Sequence, residues 1–266
     1  QAATFFDDSQ VREIRLYFDD PDWYKTLYKA HASNADDPYF PVRFQYGDTI
    51  IPMIGVRFKG NSSFRRSSSV KKSFKLDFNE YDDDAKFLGL KKLNLNNGDL
   101  SPDFLPEKLF LDFAAQYIPA MRAVHTRVYV NDEYWGLYIL SEVVNGDFLK
   151  AFLGKGEDEG NLYKGDMGAS FAYLGDDKAK YKQTFEKQSN EEADDWSDLI
   201  AFTKTLNETP TASLKAALDP ILDVDSLLTA LAIDNLTANL DSYVGMGQNF
   251  YFYKRPSDGR WMWIVW

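Results

Sequence analysis

Period-two alternation of apolar and polar residues recurs through the first half of the chain, and it commits that half to β-strands. Val11-Arg-Glu-Ile-Arg-Leu-Tyr-Phe18 sets the pattern. Asp20-Pro-Asp-Trp23 then opens a short helix expected to run to about Ala30. Phe40–Tyr46 and Thr49–Met53 read as a hairpin across Gly47-Asp48. A further strand, Ile54–Lys59, runs into Gly60-Asn-Ser-Ser-Phe-Arg-Arg-Ser-Ser-Ser69 and returns as Lys72–Phe78. Lys91–Asn97, Thr126–Val130 and Tyr134–Leu140 continue the series, the last two joined by the turn Asn131-Asp-Glu133. Between them Phe104, Leu105, Leu109, Phe110, Phe113 and Ala114 recur at helical spacing, from near Ser101-Pro102 to before Pro119, with Glu107 in the first turn.

After Asn145 the character changes. Residues 154–198 are heavy in Gly, Asp, Glu and Lys, a composition expected of a solvated insert and not of a core. From Trp196 the pattern is mainly helical. Val224, Leu227, Leu228, Leu231, Leu236 and Leu240 predict a helix with one buried face, from which Asp234 and Asp241 emerge. A Gly-bearing loop to Asn249, the strand Asn249–Tyr253, a Pro256–Gly259 turn and Trp261–Trp266 predict a closing hairpin with an aromatic interior.

Composition narrows the chemistry. A formal charge of -11 opposes polyanions, so nucleic acid is not an expected partner. No run approaches the ~20 apolar residues of a membrane-spanning helix. The absence of cysteine excludes disulfides, thiolate metal sites and cysteine nucleophiles. Neither His31 nor His125 has a His or Cys partner at metal-ligand spacing, which argues against a zinc site and leaves both outside the expected site. A chain opening on Gln1-Ala-Ala fits one whose export signal has been removed.

Two segments remain as chemistry. The hydroxyl-rich turn at 60–69, flanked by Lys59, Arg65, Arg66, Lys71, Lys72 and Lys75, is the one concentrated basic element. It suits either a phosphate, received by hydroxyl, N–H and ammonium groups, or a solvated hairpin tip. Asp241 followed eight positions later by Asn249 resembles the catalytic loop of protein kinases, where the spacing is about five. Short polar side chains after a helix also serve as ordinary turn residues. The order of elements, a basic strand pair, a helix with a Glu, two strands, a connector, helices and an Asp-to-Asn loop, matches a two-lobed α+β kinase-like fold. A strand-rich N-terminal lobe over 1–145 and a mainly helical C-terminal lobe over 146–266, ending in the hairpin, are expected.

On several independent motifs the chain resembles the CotH family of spore-coat, atypical secretory kinase-like proteins. These are Val56-Arg-Phe-Lys-Gly-Asn-Ser-Ser63, Lys72–Phe78, Leu88-Gly-Leu-Lys-Lys-Leu-Asn-Leu-Asn96, Val130-Asn-Asp-Glu-Tyr-Trp-Gly-Leu-Tyr138 with Glu142, Asn239-Leu-Asp-Ser-Tyr243 and Asn249–Tyr253. The resemblance implies ATP-dependent phosphorylation of Ser or Thr in a secreted or coat protein, with Mg2+ or Mn2+, or else a catalytically weak adhesin or coat-assembly module. Carried over by position, it implies that Asp241 orients or deprotonates the acceptor hydroxyl and that Asn249, with Asp241, binds metal. Lys75, with Lys59 as the alternative, pairs the phosphates, and Asn61, Ser62 and Ser63 line the nucleotide. Glu107 holds the lysine by analogy of element order. Glu142 falls where a connector meets adenine, or serves as an ion-pair partner. In the family an Asp follows the Trp matching Trp266 and binds metal; an end inside an apolar strand is expected of a truncated chain, and one that did stop at Trp266 is expected to bind nucleotide but transfer poorly.

Overall fold

The computed structural model describes residues 2–33, 37–99, 101 and 103–266. They form two compact units, one of residues up to Asp112 together with Arg122–Val143, the other of Phe113–Met121 with Val144–Trp266.

The first unit contains α1 (Ala2–Phe5), β1 (Arg12–Tyr17), α2 (Trp23–Ala32), β2 (Phe40–Tyr46), β3 (Thr49–Lys59), α3 (Ser62–Arg66), β4 (Ser73–Asp77) and β5 (Lys92–Asn96). The helix α4 (Pro106–Ala114), whose last two residues count with the second unit, β6 (Ala123–Val130) and β7 (Glu133–Glu142) follow. The seven strands close into a barrel in the order β1-β2-β3-β4-β5-β7-β6. Closure comes from β1, which lies parallel to β6 from Arg12 opposite Thr126 to Leu16 opposite Val130. Inward positions are almost all apolar: Ile14, Leu16, Phe44, Val56, Phe58, Phe74, Leu76, Leu93, Leu95, Val124, Val128 and Leu140 are buried, with Thr126 on β6 a buried polar exception. Phe44 meets Phe78 and Phe87 edge-on at centroid distances of 5.1 and 4.9 Å.

The turn between β6 and β7 fastens this closure. Asn131 and Asp132 have φ of 49° and 67°, the left-handed pair that suits the twist of a two-residue hairpin. Asn131 accepts the Phe18 N–H through Oδ1 at 2.8 Å. Asp132 accepts from Arg15 at 3.0 Å and from Tyr17 Oη at 2.8 Å. The strand alternation is thus realised as predicted, although 49–59 is one continuous strand and the hydroxyl-rich turn is partly helical. Pro102 lies outside the described residues, and α4 starts at Pro106.

The second unit contains α5 (Gly146–Leu153), β8 (Asn161–Gly165), α6 (Lys178–Tyr181), β9 (Phe185–Lys187), α7 (Ser197–Glu208), α8 (Thr211–Leu218) and α9 (Val224–Leu236). The chain ends with α10 (Tyr243–Met246), β10 (Phe250–Lys254) and β11 (Trp261–Val265). Its centre is a four-stranded antiparallel sheet, β11-β10-β8-β9. Phe252 stacks on Trp261 at 4.5 Å and Phe250 on Trp263 at 4.3 Å, so the hairpin interior is aromatic as predicted.

Three expectations need correction. The two-lobed kinase-like fold with a helical second lobe is replaced by a closed seven-stranded barrel and a second unit built on a sheet, with modest helix content. Order along the chain is blind to the parallel β1–β6 pairing that closes the barrel. Residues 154–198 are not a solvated insert: Leu162, Tyr163, Tyr181, Phe185 and Trp196 are buried, with β8 paired to the aromatic strand β10 and β9 paired to β8. Nor does α9 bury one leucine face. It buries Ala230, Ile233 and Asp234, whereas Leu236 and Leu240 are 77% and 71% exposed.

Replacing Asn131 should expose how much closure depends on this turn. Asn131→Ala removes the partner of the Phe18 N–H and places a Cβ-bearing residue without a bonding side chain at positive φ, for a cost of about 2–3 kcal/mol. Asn131→Gly should recover roughly 1 kcal/mol of that loss by relieving the backbone alone. Denaturant midpoints of the two variants measure both quantities.

Candidate functional site

In the first unit the outward face of the barrel gathers the expected basic and acidic residues. Strand parity puts Phe58 and Phe74 inside, so Lys59, Ser73 and Lys75 project outward. Lys59 Nζ donates to Asn96 Oδ1 at 2.8 Å, and Asn96 Nδ2 in turn donates to the Glu107 carboxylate. Asn96 also lies 3.4 Å from Ser141 Oγ. Burial pushes the Glu107 carboxyl up, while the charge of Lys59 and the Asn96 hydrogen bond pull it down. Lys75, half-buried on β4, faces Arg57 on β3 and Asn94 on β5. Both candidate lysines therefore share one face, and Lys59 is the one linked to Glu107 through Asn96. Sequence reasoning missed Asn96. Its signal was Lys92-Leu-Asn-Leu-Asn96, which sets two amides on the outward side of an otherwise apolar strand.

The basic turn is tethered at three points. Gly60 has φ of +101°, and a Cβ there would stand 2.5 Å from Ser63 Oγ, so glycine is required. His31 Nε2 lies 2.8 Å from the Gly60 carbonyl oxygen and Nδ1 lies 2.9 Å from Asp37. Burial pushes the His31 imidazole down, the Gly60 bond raises it, and Arg57 and Arg65 lower it further. Buried Lys72 donates to the carbonyls of Phe64 at 3.0 Å and Ser67 at 2.7 Å. Asn61 is exposed at the start of α3 and Ser63 is half-buried; Ser62 has its backbone in α3, and its side chain lies outside the described residues.

Glu142 is buried and gripped by Arg122. It accepts from Nε at 3.0 Å, from Nη2 at 2.5 Å and from the Arg122 backbone N–H at 2.8 Å. This bidentate arrangement is an ion pair of the strong kind.

In the second unit α9 stops at Leu236, and Ala238 takes φ of 51°. Asp234 is buried, accepts from Asn239 Nδ2 at 3.0 Å, and its carboxyl is pushed up by burial against the pull of Asn239 and Ser242. Asp241 is exposed and accepts from Gln248 Nε2. Asn249, at φ of 57°, donates through Nδ2 to the Asp241 carbonyl at 2.7 Å. The two residues are thus held together across the loop. Asn249's donation through nitrogen leaves its amide oxygen as the atom chemically able to ligate a cation. Among the described residues no three of His, Cys, Asp and Glu converge on a metal position. One carboxylate and one amide oxygen nevertheless suit Mg2+, which retains most of its waters and takes few protein ligands.

The profile of a family described as "CotH kinase protein" matches residues 56–266. The chain is also similar to Invasin CotH3 of Rhizopus delemar, 24% identical over 277 aligned positions. That alignment covers 92% of the chain and 46% of the relative, so the chain spans about half the relative's length.

Glu107 yields a pH test. Its folded carboxyl titrates above the ordinary value of 4.5, so the native state holds the proton more tightly than the unfolded chain and loses stability as pH rises from that value. Glu107→Gln should match the wild type in acid and gain on it as pH climbs through 4.5 to the raised native value. Urea midpoints of both proteins across that range would show the gap opening; a gap closing with rising pH would contradict it.

Proposed function

Since this chain belongs to the CotH kinase protein family, residues 56–266 carrying the match, we propose that it transfers a phosphoryl group from ATP to Ser or Thr of a polypeptide. The Lys59–Asn96–Glu107 chain carries this reading. It sets a cation on a strand beside a half-buried carboxylate, an arrangement suited to meeting phosphate oxygens. Of the two outward lysines we assign the phosphate-pairing role to Lys59, with Glu107 holding it through Asn96 and Lys75 contributing charge nearby. Asn61 and the hydroxyl of Ser63 offer neutral donors on the basic turn. Glu142, engaged by Arg122, keeps the strand end in place.

In the second unit Asp241 takes the role of base. It is exposed, fixed by Gln248, and able to orient an acceptor hydroxyl and accept its proton. Asn249 and Asp241 would hold a magnesium ion by oxygen; when bound, that ion neutralises charge on the transferred group. Asn249 does a second job in the protein itself, since its amide locks the carbonyl of Asp241.

A surface or coat location goes with this reading, as does binding of a partner without chemistry, the use suggested by the relative's name of invasin. Among the described residues no helix is long and apolar enough to cross a membrane. Incorporation of labelled phosphate from ATP with magnesium into polypeptide acceptors separates the two uses. The wild type should incorporate label, with Asp241→Asn reduced by about 10²–10⁴-fold. Lys59→Met should fall by roughly 10²-fold or more. Equal incorporation by wild type and Asp241→Asn, with partner binding that persists without nucleotide, would leave only the binding role.

A further inference from the structure

Lys71 sits just before β4 with its ammonium between two aromatic rings. Its Nζ donates to the Asn97 carbonyl at 2.9 Å and lies over the rings of Phe104 at 4.2 Å and Tyr138 at 4.7 Å. Among the described residues it forms no ion pair. The backbone around it is fixed from both sides: Asn97 Nδ2 donates to the Lys71 carbonyl at 2.7 Å, Ser69 Oγ accepts the Lys71 N–H at 3.1 Å, and Tyr138 Oη donates to the Lys72 carbonyl at 3.0 Å. Gly136 makes room for the stem, because a Cβ there would stand 3.0 Å from Lys71 Cε.

We propose that Lys71 is an acylation site, a nucleophilic amine sleeved between Phe104 and Tyr138 that accepts small acyl groups from activated donors such as acyl phosphates. Lysines that lack a carboxylate and sit against rings have little to hold their proton except the rings' faces and one carbonyl. Burial accordingly lowers the Lys71 ammonium to about 8. The neutral amine attacks the acyl carbon of the donor; an N–C bond forms, the C–O bond to phosphate breaks, inorganic phosphate leaves, and the amine's proton passes to water. The product is a neutral amide, which removes one positive charge from the flank of the basic turn and fits an aromatic sleeve better than an ammonium does.

Acetyl phosphate supplied to the folded chain, with peptide mass spectrometry as readout, tests this. At about pH 7.5 Lys71 should acetylate roughly ten-fold faster than the exposed Lys25 and Lys150, the larger neutral fraction outweighing its lower basicity. Its rate should level off near pH 8 while theirs keep climbing. The preference should vanish in denaturing urea and shrink in Phe104→Leu, which keeps an apolar residue there but removes the ring. Rates for Lys71 equal to or below that of Lys25 in the folded chain, or a Lys71 profile that rises in parallel with Lys25, would overturn the proposal.

Discussion

The parallel pairing of β1 with β6 brings residues 12–16 against residues 126–130, more than a hundred positions away, and so removes both free edges from the seven-stranded sheet. Inward side chains are then almost all apolar, Thr126 excepted, and closure pairs the backbone N–H and C=O groups that edge strands would leave open. Asn131 and Asp132 tie the β6–β7 turn to β1 by side-chain bonds, so one short turn both reverses the chain and latches the closure. Long-range pairing of this kind pays a loop-closure cost before any contact rewards it. Burial of the aromatic cluster around Phe44 and Phe87 is the compensating term.

Closure also decides where charge can go. With the interior apolar, polar side chains of β3, β4 and β5 share the outer face, and α4 brings Glu107 onto it. Two ways of keeping a buried charge follow. Glu142 is matched directly by a forked arginine. Glu107 instead meets a neutral amide, and Lys59 reaches it through that amide, so the acid is only partly compensated and its carboxyl stays raised. Full compensation favours rigidity, whereas at Glu107 the cost of burial outweighs the pull of Lys59 and Asn96.

Much of this was legible in the sequence, and the parts that were not share a cause. Phe40–Tyr46 and Ser73–Asp77 announce themselves because alternation is a local property. The terminal hairpin does so because its turn carries Pro256 and Gly259. Leu162, Tyr163 and Phe185 could not be read as core, being isolated apolar residues in acidic, glycine-rich surroundings: Leu162 and Tyr163 pair with Tyr253 and Phe252 on β10, and Phe185 packs against Phe250. Fold class failed for the same reason: a list of elements in order is compatible with several sheets, and only pairing distinguishes them. Among site residues, Asp241 and Asn249 were picked as a pair and do touch, through an amide-to-carbonyl bond that eight-residue spacing does not foretell. Asn96 closes a motif that carries the resemblance, but its part in linking Lys59 to Glu107 depends on β3 and α4 meeting it in space.

The loop that carries Asp241 shows how an exposed residue can still be held in place. A Cβ on Gly245 would strike the Leu240 carbonyl, and one on Gly247, at φ of +62°, would lie 2.5 Å from the Ala169 carbonyl oxygen. Both glycines therefore let the short helix α10 press against its own entry and against residue 169. Tyr243 anchors the other side, edge-on to Phe250 and Trp263 at 5.2 Å each. Those rings belong to the buried sheet, so the loop inherits the sheet's rigidity while Asp241 stays at the surface. Buried Asp234, Asn239 and Ser242 form a hydrogen-bonded knot on the helix side that fixes where the loop begins. A loop residue placed by a scaffold in this way can be exposed without being free to wander, which is the condition a proton acceptor needs if it is to meet a hydroxyl at a defined distance.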